Sequence, residues 1–151
     1  MKTNEQPGIL QWISITGAAG TAVIAGLGLA GYLSGFLVLG SLRADYIPMA
    51  PATALSFIIL ALILLVRTGR KASRAKPFLC SAALLVTLFG LLEVVEHFIG
   101  KSLRLEELLF PAAGYLNGIP VGRMSPATGF SFFVSGTAVL LHILRKDGLS
   151  R

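Results

Sequence analysis

Four long apolar blocks constrain this chain more than any other feature of its sequence. They cover about residues 12–36, 51–66, 77–99 and 126–144. A helix needs about 20 apolar residues to cross the hydrocarbon core of a bilayer, and in lipid every backbone N–H and C=O group has to be paired within its own segment. The blocks therefore predict an all-α integral membrane fold with four transmembrane helices.

Charged residues are too few for a soluble domain and too segregated for a nucleic-acid-binding surface. They make up 13% of the chain, and mean hydropathy is +0.78, whereas an average soluble domain carries about 25% charged residues. The net charge is +6, but the basic residues stand at the ends of the apolar blocks, where they act as orientation signals. The lipid bilayer is therefore the predicted partner, and nucleic acid is excluded.

Lysine and arginine are distributed unequally between the two sides that four spans define. One side holds nine of them: Lys2, Arg67, Arg70, Lys71, Arg74, Lys76, Arg145, Lys146 and Arg151. The other side holds four: Arg43, Lys101, Arg104 and Arg123. Cytoplasmic loops carry the excess, so both termini are predicted in the cytoplasm, with the protein in the inner (cytoplasmic) membrane. Residues 147–151 then begin a cytoplasmic linker or tail.

An internal repeat divides the predicted membrane domain, residues 1–151, into two halves. The segment MAPATALSF at 49–57 matches MSPATGFSF at 124–132 in six of nine positions, at an offset of 75 residues. Each segment opens a returning span, with Met49, Pro51 and Thr53 in the first copy and Met124, Pro126 and Thr128 in the second. Because proline suits the first turn of a helix, Pro51, Pro77 and Pro126 are each predicted to open one. The repeat predicts two tandem parallel helical hairpins, at about 12–71 and 77–146.

The paired motifs, IPMAPATALSF at 47–57 and GRMSPATGFSF at 122–132, carry a family resemblance. The chain resembles the duplicated N-terminal membrane segment of bacterial PAS-containing sensor histidine kinases and diguanylate cyclases. Gly129 and Phe130 depart from the Ala-Leu of that pattern. The resemblance implies a membrane-embedded signal-input domain for signal transduction, of the kind found in two-component systems. The kinase or cyclase module would then lie beyond Arg151 or on a separate chain, and no catalytic site is predicted in these residues.

Ionisable residues inside the third span are the candidate functional residues. Glu93, Glu96 and His97 share one helical face about 100° wide at 100° per residue, and charge at membrane depth is expensive and often marks function. Together with Arg123 they predict a site that senses a ligand or a proton. The alternative is that they lie shallow enough to snorkel outward. No metal or cofactor is predicted, because His97 and His142 fall at unrelated depths and no zinc-binding pattern is present.

Two further features concern packing and the external segment. Small residues in the first block, Ala22, Gly26, Gly31 and Gly35, predict a face that another helix approaches closely, within the chain or across a homodimer. Leucines 105, 108 and 109 recur at helical spacing between charges, which predicts a short amphipathic external helix lying on the outer leaflet.

Two rival functions remain open on the sequence. The acids of the third span also suit a small dimeric transporter that is coupled to protons or another ion. An accessory subunit of a larger membrane complex would need no site of its own.

Overall fold

The computed structural model describes residues 8–41, 48–68, 72–100, 105–111, 115–116, 119–120 and 122–148. Its helices are α1 (Ile9–Ser34), α2 (Pro51–Thr68), α3 (Ala72–Ile99), α4 (Leu105–Leu109) and α5 (Pro126–Gly148), with a 3-10 turn at Leu37–Gly40. Two short antiparallel strands, β1 (Tyr115–Leu116) and β2 (Ile119–Pro120), pair in the segment before α5. The helices α1, α2, α3 and α5 are long and apolar enough to cross a membrane. The prediction of an all-α fold with four such helices is confirmed.

Two of the three predicted helix starts are found in the structure. Pro51 and Pro126 are the first residues of α2 and α5, and the Ser125 hydroxyl caps α5 by accepting the Thr128 N–H at 3.2 Å. Gly35 ends α1 in the left-handed region at φ 76°. The prediction for Pro77 was wrong, because α3 begins at Ala72 and Pro77 lies inside it. Because Pro77 lies close to the start of α3, its missing N–H removes only one backbone hydrogen bond, and the helical turn before it still forms.

The long helices pack in sequence order. Extensive contacts join α1 to α2 and α3 to α5, and a smaller set joins α2 to α3. In the first pair, the Gln11 amide donates to the Thr68 carbonyl at 3.5 Å, while Gly28 lies against Met49 at the other end. The two helices are therefore antiparallel. We call the end of the bundle that carries Met49 and Met124 the motif end, and the end that carries Arg67 and Arg145 the basic end.

The α3–α5 pair crosses at three glycines. A methyl group added to Gly90 would lie 2.5 Å from the Gly129 carbonyl oxygen and 2.6 Å from the Phe133 nitrogen. One added to Gly136 would lie 2.5 Å from the Thr87 hydroxyl oxygen. Such close backbone contact is typical of helix interfaces in membranes. The hydrophobic effect does not drive helices together in lipid, and small residues permit the close van der Waals packing that does. The pair is antiparallel as well, because Thr87 meets Gly136 whereas Gly90 meets Gly129.

Candidate functional site

Glu93 and Glu96 lie in the last turns of α3 at the motif end and point into the protein. Their exposed fractions are only 5% and 7%. Gly129 of α5 makes room for Glu93, since a methyl group there would lie 2.6 Å from the Glu93 Cβ atom. Helical periodicity predicted that these two acids share one face of the helix, and in the structure both side chains are buried rather than turned outward.

Arg123 lies two residues before Ser125, the capping residue of α5, and faces the same acids. Its Nη2 atom is 3.8 Å from Oε2 of Glu96, and its side chain is 44% exposed. The guanidinium thus reaches from the surface of the motif end toward a buried carboxylate. An ion pair with one exposed partner is screened by solvent, so Arg123 offsets only part of the cost of burying Glu96.

Glu106 of α4 completes the group and was not among the residues predicted from the sequence. Its exposed fraction is 6%, and its Oε2 atom accepts the backbone N–H of Met124 at 2.8 Å. Leu108 and Leu109, two of the leucines on the apolar face predicted for α4, are 81% and 62% exposed, as they would be on a helix whose leucines face lipid. The predicted short helix is present, and its described leucines face outward while its acid packs inward.

We call Glu93, Glu96, Glu106 and Arg123 the acid cluster. Negative charges on Glu106 and Glu96 repel one on Glu93, whereas the charge of Arg123 attracts it. Three buried carboxylates with one half-exposed arginine form a group whose total charge depends on how many protons it holds. Among the described residues, no three side chains of His, Cys, Asp or Glu converge in a way that could hold a metal ion.

His97 lies outside the acid cluster. Its side chain is exposed, and its ring stands edge-on to that of Phe98, with 6.0 Å between the ring centroids. At 100° per residue His97 is only 40° from Glu93, so the helical face expected from the sequence extends past the boundary of the buried region. The structure thus brings together Glu93, Glu96 and Arg123 of the four predicted residues.

The repeated turn motifs lie near one another at the motif end. Met49 is partly buried against Gly28, whereas Met124 is 3% exposed. A methyl group on Gly122, which precedes the second motif, would meet Pro51 of the first at 3.7 Å. Thr53 is 9% exposed, and the Thr128 hydroxyl lies 2.8 Å from that of Ser125. Both motifs therefore start a helix and contribute to the same end of the bundle.

Tyr32 connects α1 to the segment that follows α4. Its hydroxyl donates to the Pro111 carbonyl, and its ring meets that of Phe110 edge-on at 6.2 Å between centroids. Gly122 lies against the same ring, since a methyl group there would be 3.6 Å from the Tyr32 Cε2 atom. One side chain of the first half thus contacts residues of the second half that are separated in sequence, Phe110 and Pro111 after α4 and Gly122 before α5.

The small residues singled out in α1 have different environments. A methyl group on Gly31 would lie 2.9 Å from the Leu39 Cβ atom, so this glycine packs against the 3-10 turn. One on Gly26 would meet nothing within 4 Å, and the same holds for Gly35, which ends the helix. Ala22 is partly buried. The residues of α1 that the structure buries are Ala18, Ala25, Gly28 and Gly31.

No protein-family model, no curated protein and no solved structure matches this chain. Fold and site together define the class, which is a multi-pass membrane protein with four candidate spans. Within the described residues, buried acids meet an arginine at the motif end of the bundle.

Proposed function

We propose that this chain is the membrane-embedded signal-input domain of a bacterial signalling protein. In this proposal it lies in the inner membrane with both termini in the cytoplasm, so the motif end faces outward. The acid cluster receives the signal, and α5 carries it to the cytoplasmic side. A histidine kinase or diguanylate cyclase module, beyond Arg151 or on another chain, would read the position of α5.

The observation that carries this proposal is the hydrogen bond from the Met124 N–H to Glu106. It fastens the start of α5 to a buried carboxylate, and the Arg123–Glu96 pair holds the adjacent residue. Any change in charge on the cluster therefore acts directly on the first turn of α5. Because α5 continues to the basic end, a shift at its start moves the whole helix as one rigid element.

The family resemblance supports the sensor function, and the charge pattern supports the orientation in the membrane. The paired Met-x-Pro-Ala-Thr motifs resemble those of the sensor segments that precede PAS domains, and the basic residues at the ends of α2 and α5 are typical of cytoplasmic loops. A reporter fused after Arg151 should remain in the cytoplasm. Periplasmic activity of that reporter would reverse the orientation and remove the outward-facing sensor.

The physical event at the cluster is a change of charge. The charged groups that face Glu93 are Glu96 on its own helix, Glu106 on α4 and Arg123 before α5. Protonation of these carboxylates removes the attraction for Arg123 and weakens the acceptor that holds the Met124 N–H, because ionised acceptors form the stronger hydrogen bonds. Acidification, or an external cationic ligand that competes with Arg123, should therefore loosen the start of α5.

A distance measurement between the basic ends of two helices tests this proposal. Nitroxide labels at Val66 of α2 and Leu144 of α5 occupy exposed positions, in a Cys80→Ala background that leaves no other thiol. In lipid nanodiscs, acidification should change the label-to-label distance distribution. The Glu106→Gln variant should show a reduced change, because its acceptor no longer gains or loses charge.

The matched control is His97→Gln, a titratable residue of α3 that lies outside the cluster. It should respond as the wild type does. A distance distribution that is independent of pH and of ionic ligands, or a response lost in His97→Gln and kept in Glu106→Gln, would contradict the proposal.

The second candidate is a proton- or ion-coupled transporter, and the burial of Glu93 and Glu96 within a candidate span favours it over the other rival. Reconstituted vesicles distinguish it from a sensor. Ion or substrate uptake driven by a pH gradient and lost in Glu93→Gln would establish transport. Co-purification of a stoichiometric membrane partner, with neither uptake nor helix movement, would favour an accessory subunit.

A further inference from the structure

The second helices of the two repeats have the same sequence pattern, but one face of them is covered in the first half and open in the second. On α2 this face is buried or partly buried, and it consists of Ala52, Ser56, Ile59 and Ile63. On α5 the residues at the 75-residue offset are all exposed, and they are Ala127, Ser131, Val134 and Ala138. We call these four the α5 stripe.

The helix that covers the α2 face is α3. A cavity of about 100 Å³ between them is lined by Ala52, Ser56 and Ile59 on α2 and by Leu85, Val86 and Phe89 on α3. In the order of the repeat, α3 corresponds to α1. The counterpart of the α2–α3 contact would therefore be a contact between α5 and α1. Among the described residues, α1 and α5 share no extensive packing, because α1 packs mainly on α2 and on the 3-10 turn.

The matching face of α1 is open too. We call Ile13, Gly17, Gly20 and Ile24 the α1 stripe, and all four are exposed. It lies about 120° round α1 from the residues Ala18 and Ala25 that are buried on α2. On α3, the residues that line the cavity with α2 lie about 120° from Thr87 and Gly90, in the same sense. The angle between the α1 stripe and the face of α1 that packs on α2 therefore equals the angle between the α2-contacting face of α3 and the face of α3 that packs on α5.

We propose that a second copy of this chain occupies the α5 stripe, with the α1 stripe of each copy lying on the α5 stripe of the other. The exchange is reciprocal and closes as a two-fold dimer. Both stripes combine β-branched residues with glycine, alanine or serine, which let membrane helices approach closely. The two helices are antiparallel within one membrane orientation, as α2 and α3 are.

A concave surface lies beside the α5 stripe. A groove of about 380 Å³ between α2 and α5 is lined by Thr53, Phe57 and Leu60 on one wall and by Ala127, Ser131 and Ser135 on the other. Phe57 and Phe132 also line this groove, with their ring centroids 4.8 Å apart, and Phe132 belongs to the intrachain core. A helix from a second copy would therefore rest on two helices and extend an interface that the chain already contains. This inference is independent of whether the domain senses or transports.

Cysteine cross-linking tests the contact directly. Gly20 lies about two helical turns from Gly28, which contacts Met49, and Ser131 lies about two turns from Met124. The two positions are therefore at a similar depth and should face each other across the two copies. In a Cys80→Ala background, mixing a Gly20→Cys variant with a Ser131→Cys variant should give an oxidised dimer on a non-reducing gel. Gly26→Cys in place of Gly20→Cys should give none, because Gly26 lies about 150° round α1 from the stripe.

A bulky substitution supplies the second measurement. A methyl group on Gly17 or on Gly26 would meet nothing within 4 Å in the single chain, so leucine at either position should leave the helix content and the thermal transition intact. Gly17→Leu should weaken self-association by about tenfold or more, because overpacking a close helix contact is unfavourable. Gly26→Leu should leave self-association unchanged. Single-molecule photobleaching in dilute liposomes counts the copies.

Three outcomes would overturn the proposal. The first is a wild-type protein that stays monomeric in liposomes, which would leave lipid as the occupant of the stripe. The second is a dimer with unchanged affinity in Gly17→Leu. The third is cross-linking through Gly26→Cys that equals cross-linking through Gly20→Cys.

Discussion

The α1–α2 pair and the α3–α5 pair begin their second helices with the same Met-x-Pro-Ala-Thr sequence, yet different groups pack against it. In the first pair Met49 rests on Gly28, and the fully buried Ala54 and Ala61 lie along α2. In the second pair glycines stand at the corresponding positions, and Gly129 and Gly136 admit Glu93 and Thr87. The comparison teaches that the motif sets where a helix starts, while the partner helix decides which chemistry is buried.

The glycine crossing is the sharpest difference between the pairs. In Gly90→Ala, the new methyl group would lie 2.5 Å from the Gly129 carbonyl oxygen, and backbone cannot give way as a side chain can. We expect the free energy of unfolding to fall by more than about 3 kcal/mol, measured by SDS titration of the detergent-solubilised protein. Gly26→Ala in α1, where the space is open, should change it by less than about 1 kcal/mol. Equal losses of stability in Gly90→Ala and Gly26→Ala would show that the two glycines do not differ in how closely they are packed.

Two phenylalanines at the repeat offset test whether the halves differ in packing. Phe132 is 3% exposed and Phe57 is 37% exposed, although their rings touch. Phe132→Ala should cost about 3 kcal/mol, and Phe57→Ala about 1 kcal/mol, because the cavity left by a side chain at the surface is filled by lipid. The same titration measures both. A larger loss for Phe57→Ala would place the tighter core in the first half.

The acid cluster has no equivalent among the described residues of the first pair. Substitutions of Glu106 test whether the cluster stabilises the start of α5. Glu106→Leu removes the acceptor of the Met124 N–H and should cost about 2 kcal/mol, since a buried donor is left unpaired. Glu106→Gln keeps a carbonyl acceptor and should cost less than about 1 kcal/mol. Amide hydrogen exchange at the start of α5 should rise in the leucine variant. Unchanged exchange there would show that the bond does not hold α5.

The Arg123–Glu96 pair should have the smallest effect. Arg123 is 44% exposed and its Nη2 atom is 3.8 Å from Glu96, so Arg123→Gln should cost about 1 kcal/mol or less. The loss should shrink further in a Glu96→Gln background, because the partner charge is then absent. A double-mutant cycle measures this coupling. Strictly additive losses would mean that the two side chains do not interact.

The long helices could be predicted from the sequence because the requirement of lipid is simple. A bilayer demands long apolar segments, and α1, α2, α3 and α5 satisfy it without reference to their neighbours. Helical periodicity placed Glu93, Glu96 and His97 on one face of α3. It could not show that the two acids are buried and His97 is exposed, because the neighbouring helix decides how much of that face is covered.

Glu106 and the glycine crossing could not be predicted from local pattern. In a membrane protein, exposed leucines in α4 can face lipid, so an amphipathic pattern leaves open which face packs on the protein. The need for glycine at positions 90 and 136 depends on the helix that packs against each of them, which the local sequence does not show. The available signal was the presence of small residues within the two spans, Thr87 and Gly90 in α3 and Gly129 and Gly136 in α5. That the two halves descend from one duplicated unit stays a prediction.

The position of the acids late in α3 has a consequence for biosynthesis. Glu93 and Glu96 leave the ribosome before Arg123 and α5 exist, and charged residues raise the cost of partitioning a segment from the translocon into lipid. Their final partners are supplied only when the remainder of the polypeptide has been made. Release of α3 into the bilayer should accordingly wait for α5, so that the two segments leave the insertion machinery as a pair.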